Sequence, residues 1–206
     1  MASQGPLSPS VAANDSSAGT MAWSVPNNSK VSDNAHSRST VDGGSGDSTQ
    51  YLKVTGFGFS IPSDATINGI KVQAEGLIEL PNGESGTSLY SPRIVKGGSI
   101  GSTDPSVKQT FGGSEAYKTY GSETELWGQS WSPSDINASD FGFALRISIS
   151  SGIIAYGVAV DHIRITVYYT TAGPANVKTK NGLAQASVKT IEGLAIASIK
   201  TVNNLS

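Results

Sequence analysis

Hydrophobic and polar positions alternate most regularly near the end of the chain's main body. From His162 on, Ile163, Ile165, Val167 and Tyr169 fall on one side, while His162, Arg164, Thr166 and Tyr168 fall on the other. Period two carried by β-branched and aromatic residues predicts a half-buried strand. The run 158–169 is long, has no Gly or Pro after Gly157, and is followed by a change of composition, so we expect a central strand that closes a globular domain. The same alternation recurs upstream. Phe141, Phe143, Leu145, Ile147 and Ile149 are expected inward, opposite Arg146 and Ser148. Ile70, Val72 and Ala74 stand against Lys71, Gln73 and Glu75, and Leu52 and Val54 against Tyr51, Lys53 and Thr55. Shorter strands are expected at 89–95, 107–111 and 117–120. The loops between them carry turn chemistry such as Pro81-Asn-Gly83 and Asp42-Gly-Gly-Ser-Gly-Asp47.

Seven or eight short strands with no amphipathic helix among them predict an all-β chain, a β-sandwich or jelly roll, over 22–170. The one helical turn expected is Pro133-Ser-Asp-Ile136, with Ser132 as N-cap. Residues 1–21 hold almost no large apolar side chain. They read as a flexible arm or as one ordered by a partner subunit. Residues 171–176 read as a linker.

The rest of the chain, 177–206, is a repeat. Lys178, Lys189 and Lys200 align at a period of eleven, as do Leu183, Leu194 and Leu205. Such a period suits a right-handed coiled coil. However, Asn181-Gly182, Glu192-Gly193 and Asn203-Asn204 sit where turns would fall, and Asn-Gly favours a tight hairpin. Strand plus turn is the first reading, with helix and disorder as alternatives. About two and a half such units cannot enclose a core. Val177, Leu183, Val188, Leu194, Ile196, Ile199 and Leu205 are therefore expected to pack against other chains, with a homotrimer favoured.

Composition narrows the function. Of 206 residues, 15% are charged, below the usual quarter or so. The net charge of −2 gives no electrostatic case for nucleic acid or anionic lipid. There is no Cys, which removes disulfides, thiolate zinc sites and Cys nucleophiles. No apolar run approaches the roughly 20 residues of a membrane-spanning helix. No basic segment followed by an apolar one opens the chain, so no secretory signal peptide is expected.

Candidate chemistry is sparse, and no catalytic residue, cofactor or metal is expected. The histidines are His36 and His162. No Ser nucleophile can be placed with His162 from sequence, and Asp161 should point the opposite way. Glu123 with Glu125, or Asp135 with Asp140, could serve a glycosidase, yet in Ser- and Gly-rich loops they read as solvated. Asp33, Asn34, Asp42 and Asp47 offer oxygen ligands but no fixed calcium spacing. Gly97-Gly98 lacks the Lys-Ser/Thr of a phosphate loop. The aromatics Tyr117, Tyr120, Trp127 and Trp131 carry the better binding case. Exposed, they would stack on sugar rings; otherwise Trp127 and Trp131 cap the core.

Several segments taken in order carry a resemblance. They are Trp23-Ser-Val-Pro-Asn-Asn28, Gly56-Phe-Gly-Phe-Ser-Ile-Pro62, Ile67-Asn-Gly-Ile-Lys-Val72, Tyr117-Lys-Thr-Tyr-Gly121, Leu126-Trp127, Trp131-Ser-Pro-Ser-Asp-Ile-Asn-Ala-Ser139 and 160–169. Together they resemble a β-rich module of virion proteins from tailed bacteriophages. The Lys-Thr-x-Asn/Glu-Gly-Leu-Ala tail is similar to repeats that end phage structural proteins. The resemblance implies a non-enzymatic virion component, in the tail, neck, fibre or capsid decoration. Such a component is assembled in the host cytoplasm, attached through its terminal segments to other virion proteins, and released by lysis. The alternative is a module that binds host-surface glycan. No catalytic residues carry over.

Overall fold

The computed structural model describes residues 1–41, 47–79, 88–149 and 156–171, and the backbone of four two-residue strands in the tail. The chain divides into two units, Met1–Thr170 and Thr171–Ser206.

The first unit is a two-sheet β-sandwich. Its strands are β1 (Ala2–Leu7), β2 (Val11–Asp15), β3 (Ser37–Val41), β4 (Tyr51–Thr55), β5 (Ala65–Glu79), β6 (Ser88–Lys96), β7 (Ser99–Ile100), β8 (Ala116–Gly121), β9 (Gly142–Ile149) and β10 (Tyr156–Thr171). One sheet runs β3-β10-β5-β8 and the other β4-β9-β6-β7. With the chain crossing repeatedly between them, the eight strands β3 to β10 follow a jelly-roll path. Long β10 is central, as its alternation predicts. β5 lies on one side of it, while β1 and β3 lie end to end on the other: β3 against 156–160 and β1 against 165–169.

The inner faces share one core. Leu52, Val54, Phe143, Leu145 and Ile147 from one sheet meet Ile70, Val72, Ala74, Ile163, Ile165 and Val167 from the other, all with no solvent exposure. The inward side of β10 changes parity on the way. Val158 and Val160 enter the core, and so do Ile163 and Ile165. The extra residue is absorbed at Asp161–His162, as a β-bulge does, and both of these side chains are freed from the core.

The N-terminal arm is corrected. Residues 1–15 pair within the chain's own sheets: β1 pairs with β10, and β2 pairs with β4 from Val11↔Thr55 to Asp15↔Tyr51. The arm thus adds a strand to each sheet. Its lack of large side chains misleads because edge pairing rests on backbone hydrogen bonds, which any residue but Pro can supply. β3 also falls in a stretch for which no strand is expected. It alternates with Ser37 and Ser39 inward, their hydroxyls donating to the carbonyls of Ser24 and Ala22. Conversely, 107–111 contributes only an isolated bridge, Lys108↔Tyr120, in place of the expected strand.

The helical turn Pro133–Asn137 forms where expected. Ser132 Oγ accepts the Asp135 N–H at 3.2 Å, and Asp135 Oδ2 accepts the Ser132 N–H at 2.9 Å. This reciprocal pair satisfies two donors at the helix start.

In the second unit, β11 (Thr179–Lys180) pairs with β12 (Leu183–Ala184), and β13 (Thr190–Ile191) pairs with β14 (Leu194–Ala195). Lys180 pairs with Leu183 and Ile191 with Leu194, so two residues separate the arms of each hairpin. These are Asn181-Gly182 and Glu192-Gly193, where the turns are expected. Leu183 and Leu194 lie on strands. Val177, Val188, Ile196, Ile199 and Leu205 lie outside the described residues.

Candidate functional site

The four aromatics singled out as a sugar platform do not form one. Tyr117 and Tyr120 are three apart on β8, and a period of two sends them to opposite faces. Tyr120 points inward and is fully buried, its ring stacked on Phe143 with centroids 5.7 Å apart. Trp127 is also fully buried. Its indole N–H donates to the Ile70 carbonyl at 3.0 Å, and its ring meets Phe143 edge-on. Gly121 permits that approach: a Cβ there would sit 2.5 Å from the Ile70 oxygen and 2.9 Å from Trp127 Nε1. Trp131 is half-buried against Phe141, with the Lys96 ammonium over its ring. Burial thus removes Tyr120 and Trp127 from any sugar-binding role, and Trp131 caps the core. Of the four, only Tyr117 lies on the outer face of the β10-β5-β8 sheet.

Tyr117 sits there in a polar network. Its ring lies 3.9 Å from the Arg164 guanidinium carbon, and its hydroxyl is 2.8 Å from His162 Nδ1. His162 Nε2 is in turn 2.9 Å from Ser8 Oγ. Two expectations are corrected here. A serine hydroxyl does stand against His162, brought from 154 positions away by the N-terminal segment. Asp161 is not turned away into the core: it accepts the Asp33 N–H at 3.4 Å and lies close enough to His162 to favour its charged form. Both corrections follow from the parity break in β10, which the sequence marks by two consecutive polar residues between Val160 and Ile163.

Residues 30–36 form a strap over this face. Lys30 bridges to His162, Ser32 Oγ donates to Glu75 Oε2 at 2.7 Å, and His36 Nε2 lies 2.6 Å from Glu115 Oε1. The strap covers Asp161, 1% exposed, and His162, 7% exposed. Burial first, and then the Arg164 charge, holds the His162 pKa below its ordinary value. The ring is therefore neutral near pH 7, with one nitrogen donating and the other accepting. Burial raises the Tyr117 phenol, with Glu75 adding to the rise. A neutral imidazole bonded on both sides ties the N-terminal segment, across β10, to β8.

Beyond the strap the face is open. Lys71 and Gln73 of β5 and Arg164 and Tyr168 of β10 are half-buried. Arg164 Nε donates to Gln73 Oε1 at 3.1 Å, and Lys71 Nζ stands 5.6 Å above the Tyr168 ring.

Of the carboxylates weighed as a glycosidase pair, Glu125 and Asp135 have structural work, each bonded without its proposed partner, Glu123 or Asp140. Glu125 accepts the N–H groups of Ser106 and Trp127, and Asp135 closes the capping box and pairs with Lys96. Hydrogen bonds outweigh burial and hold both below the ordinary carboxylate range, although burial is the largest single influence on each. Asp33 accepts the Ala35 N–H, and Asp47 accepts the Thr20 hydroxyl; Asp42 lies outside the described residues. Among the described residues no three His, Asp or Glu groups gather as metal ligands, and no helix is long and apolar enough to cross a membrane.

Fold and site together define a jelly-roll domain with a strapped, polar and aromatic outer sheet face, joined to a short hairpin repeat. Comparison with protein-family models, curated proteins and solved structures finds no match.

Proposed function

We propose that the protein is a non-enzymatic structural component of a tailed-bacteriophage particle, displaying its jelly roll at the surface and attached through its C-terminal repeats. The observation that carries this reading is the repeat itself. Each described hairpin consists of two residue pairs, far below what is stable alone in water. Such units become stable when neighbouring chains cover both faces, and identical chains supply that cover by symmetry. We favour a homotrimer. The N-terminal segment is part of the jelly roll, so attachment falls to the C-terminal end alone.

Gold-labelled antibody against the jelly roll, applied to particles from lysates of cells carrying the gene, tests the proposal. Label at a fixed place on each particle is expected. Particles that assemble from the same lysate without label, while the protein stays free in the supernatant, would overturn it.

A further inference from the structure

We propose that the open part of the outer sheet face binds an acidic saccharide, with Arg164 and Lys71 holding its anionic group. Among the described residues neither cation has an ion-pair partner, a state they share with Lys30, Lys118 and Arg146, whereas Arg38, Arg93, Lys53, Lys96 and Lys108 are all paired. Glu75, the carboxylate on the same face, is bonded to Ser32 of the strap instead. Arg164 is nevertheless fixed. Tyr117 backs its plane at 3.9 Å and Gln73 holds its Nε, while Tyr117 is itself anchored on His162. Among the described residues this arrangement spends one of the five N–H donors of the guanidinium and leaves the Nη pair for a ligand. A planar fork so held matches a carboxylate or phosphate with two parallel hydrogen bonds.

Lys71 lies two residues from Gln73 on the same side of β5, about 7 Å along the strand. It places a second, movable charge within one sugar unit of the first. Tyr168 beneath it offers a half-exposed ring for the C–H face of a pyranose. The site is a strand surface of alternating charge, amide and ring, a shape that accepts an extended polymer.

The shared ligand chemistry is an oxyanion on a polyhydroxyl backbone, and uronate and glycerol-phosphate polymers are its two sources. Nucleic acid is disfavoured because two cations can neutralise few phosphates in a chain of net charge −2. The proposal does not rest on the virion reading. A free domain and a particle-borne one would bind alike, so the labelling experiment and the present test fail independently.

Titration calorimetry of the full chain would use trigalacturonate, its methyl ester, a glycerol-phosphate oligomer and a single-stranded oligonucleotide. Binding of trigalacturonate or the glycerol-phosphate oligomer is expected, and the stronger of the two names the source. The methyl ester should bind at least about tenfold more weakly than trigalacturonate if uronate is the ligand. Arg164→Gln should weaken binding by about tenfold or more. Arg164→Lys should recover only part of that, because it restores charge without the fork. Lys71→Gln keeps most of the side-chain stem and should weaken binding several-fold, with the loss shrinking as salt rises. No binding of either oxyanion, equal binding of the oligonucleotide, or unchanged affinity in Lys71→Gln and in folded Arg164→Gln would each overturn the proposal.

Discussion

Tyr120→Phe should make the protein more stable. The Tyr120 side chain has no solvent exposure, and its hydroxyl oxygen is buried without a hydrogen-bond partner among the described residues. A polar group left so costs about 1–3 kcal/mol. Phe keeps the ring and its stack on Phe143, and loses only that oxygen. The void left costs a few tenths of a kcal/mol at about 24 cal/mol per Å³. The net gain is about 1–2 kcal/mol, which for a urea m-value of about 2 kcal/mol/M moves the midpoint up by about 0.5–1 M. Tyr90→Phe provides the contrast. The Tyr90 hydroxyl accepts the buried Phe111 N–H at 3.0 Å, so its removal strands a donor and should cost about 1–3 kcal/mol. Alkali supplies a second readout. Burial, and then Tyr90, holds the Tyr120 phenol well above its ordinary value. The unfolded chain ionises first, so stability that is full below about pH 10 falls as pH rises past it. Tyr120→Phe should reduce that fall, leaving the part due to Tyr117. Urea melts at pH 7 and pH 10.5 measure both effects. A Tyr120→Phe variant less stable than the parent by about 1 kcal/mol would mean the hydroxyl is bonded, and the reasoning would fail.

Other outcomes follow from the same packing. Leu145→Ala, in the centre of β9, should lose about 2–5 kcal/mol in a urea melt; near-parental stability would contradict its place between the sheets. Ser132→Ala removes the capping box and should cost about 1 kcal/mol by the same assay. His162 is held below its ordinary pKa by burial and then by Arg164, against the pull of Glu75 and Asp161. The unfolded chain therefore takes up its proton first, and stability present above about pH 6.5 is lost as pH falls towards the folded value. Urea midpoints at pH 7.5 and 5.5 should differ less in His162→Gln than in the parent chain.

The strands that carry the core were legible because each buries one face completely. Ile70, Val72 and Ala74, Phe143 to Ile147, and Ile163 to Val167 declare themselves by alternation. β1, β2 and β3 do not, because their inward positions mix Gln4, Ala12, Ser37 and Ser39 with single large apolar residues, Leu7 and Val41, too few to mark a period. The opposite faces of Tyr117 and Tyr120 were implicit in their spacing of three, once 117–120 was read as a strand. The binding face was not legible. Ser8, Ser32, Gln73, Tyr117, His162 and Arg164 come from five segments, and the contacts of His162 span 154 and 45 positions. Only the jelly-roll order of strands brings them together, although the shift at Asp161–His162 does show in the apolar pattern, which moves from Val158 and Val160 to Ile163, Ile165 and Val167 across two consecutive polar residues.

The claim that the repeats are the assembly element is tested most directly by sedimentation velocity on the full chain and on a chain ending at Gly173. The account predicts that the full chain sediments at about three times its 21.2 kDa mass. The shortened chain should sediment as a monomer with an unchanged urea midpoint. The same oligomeric size for both chains would contradict it.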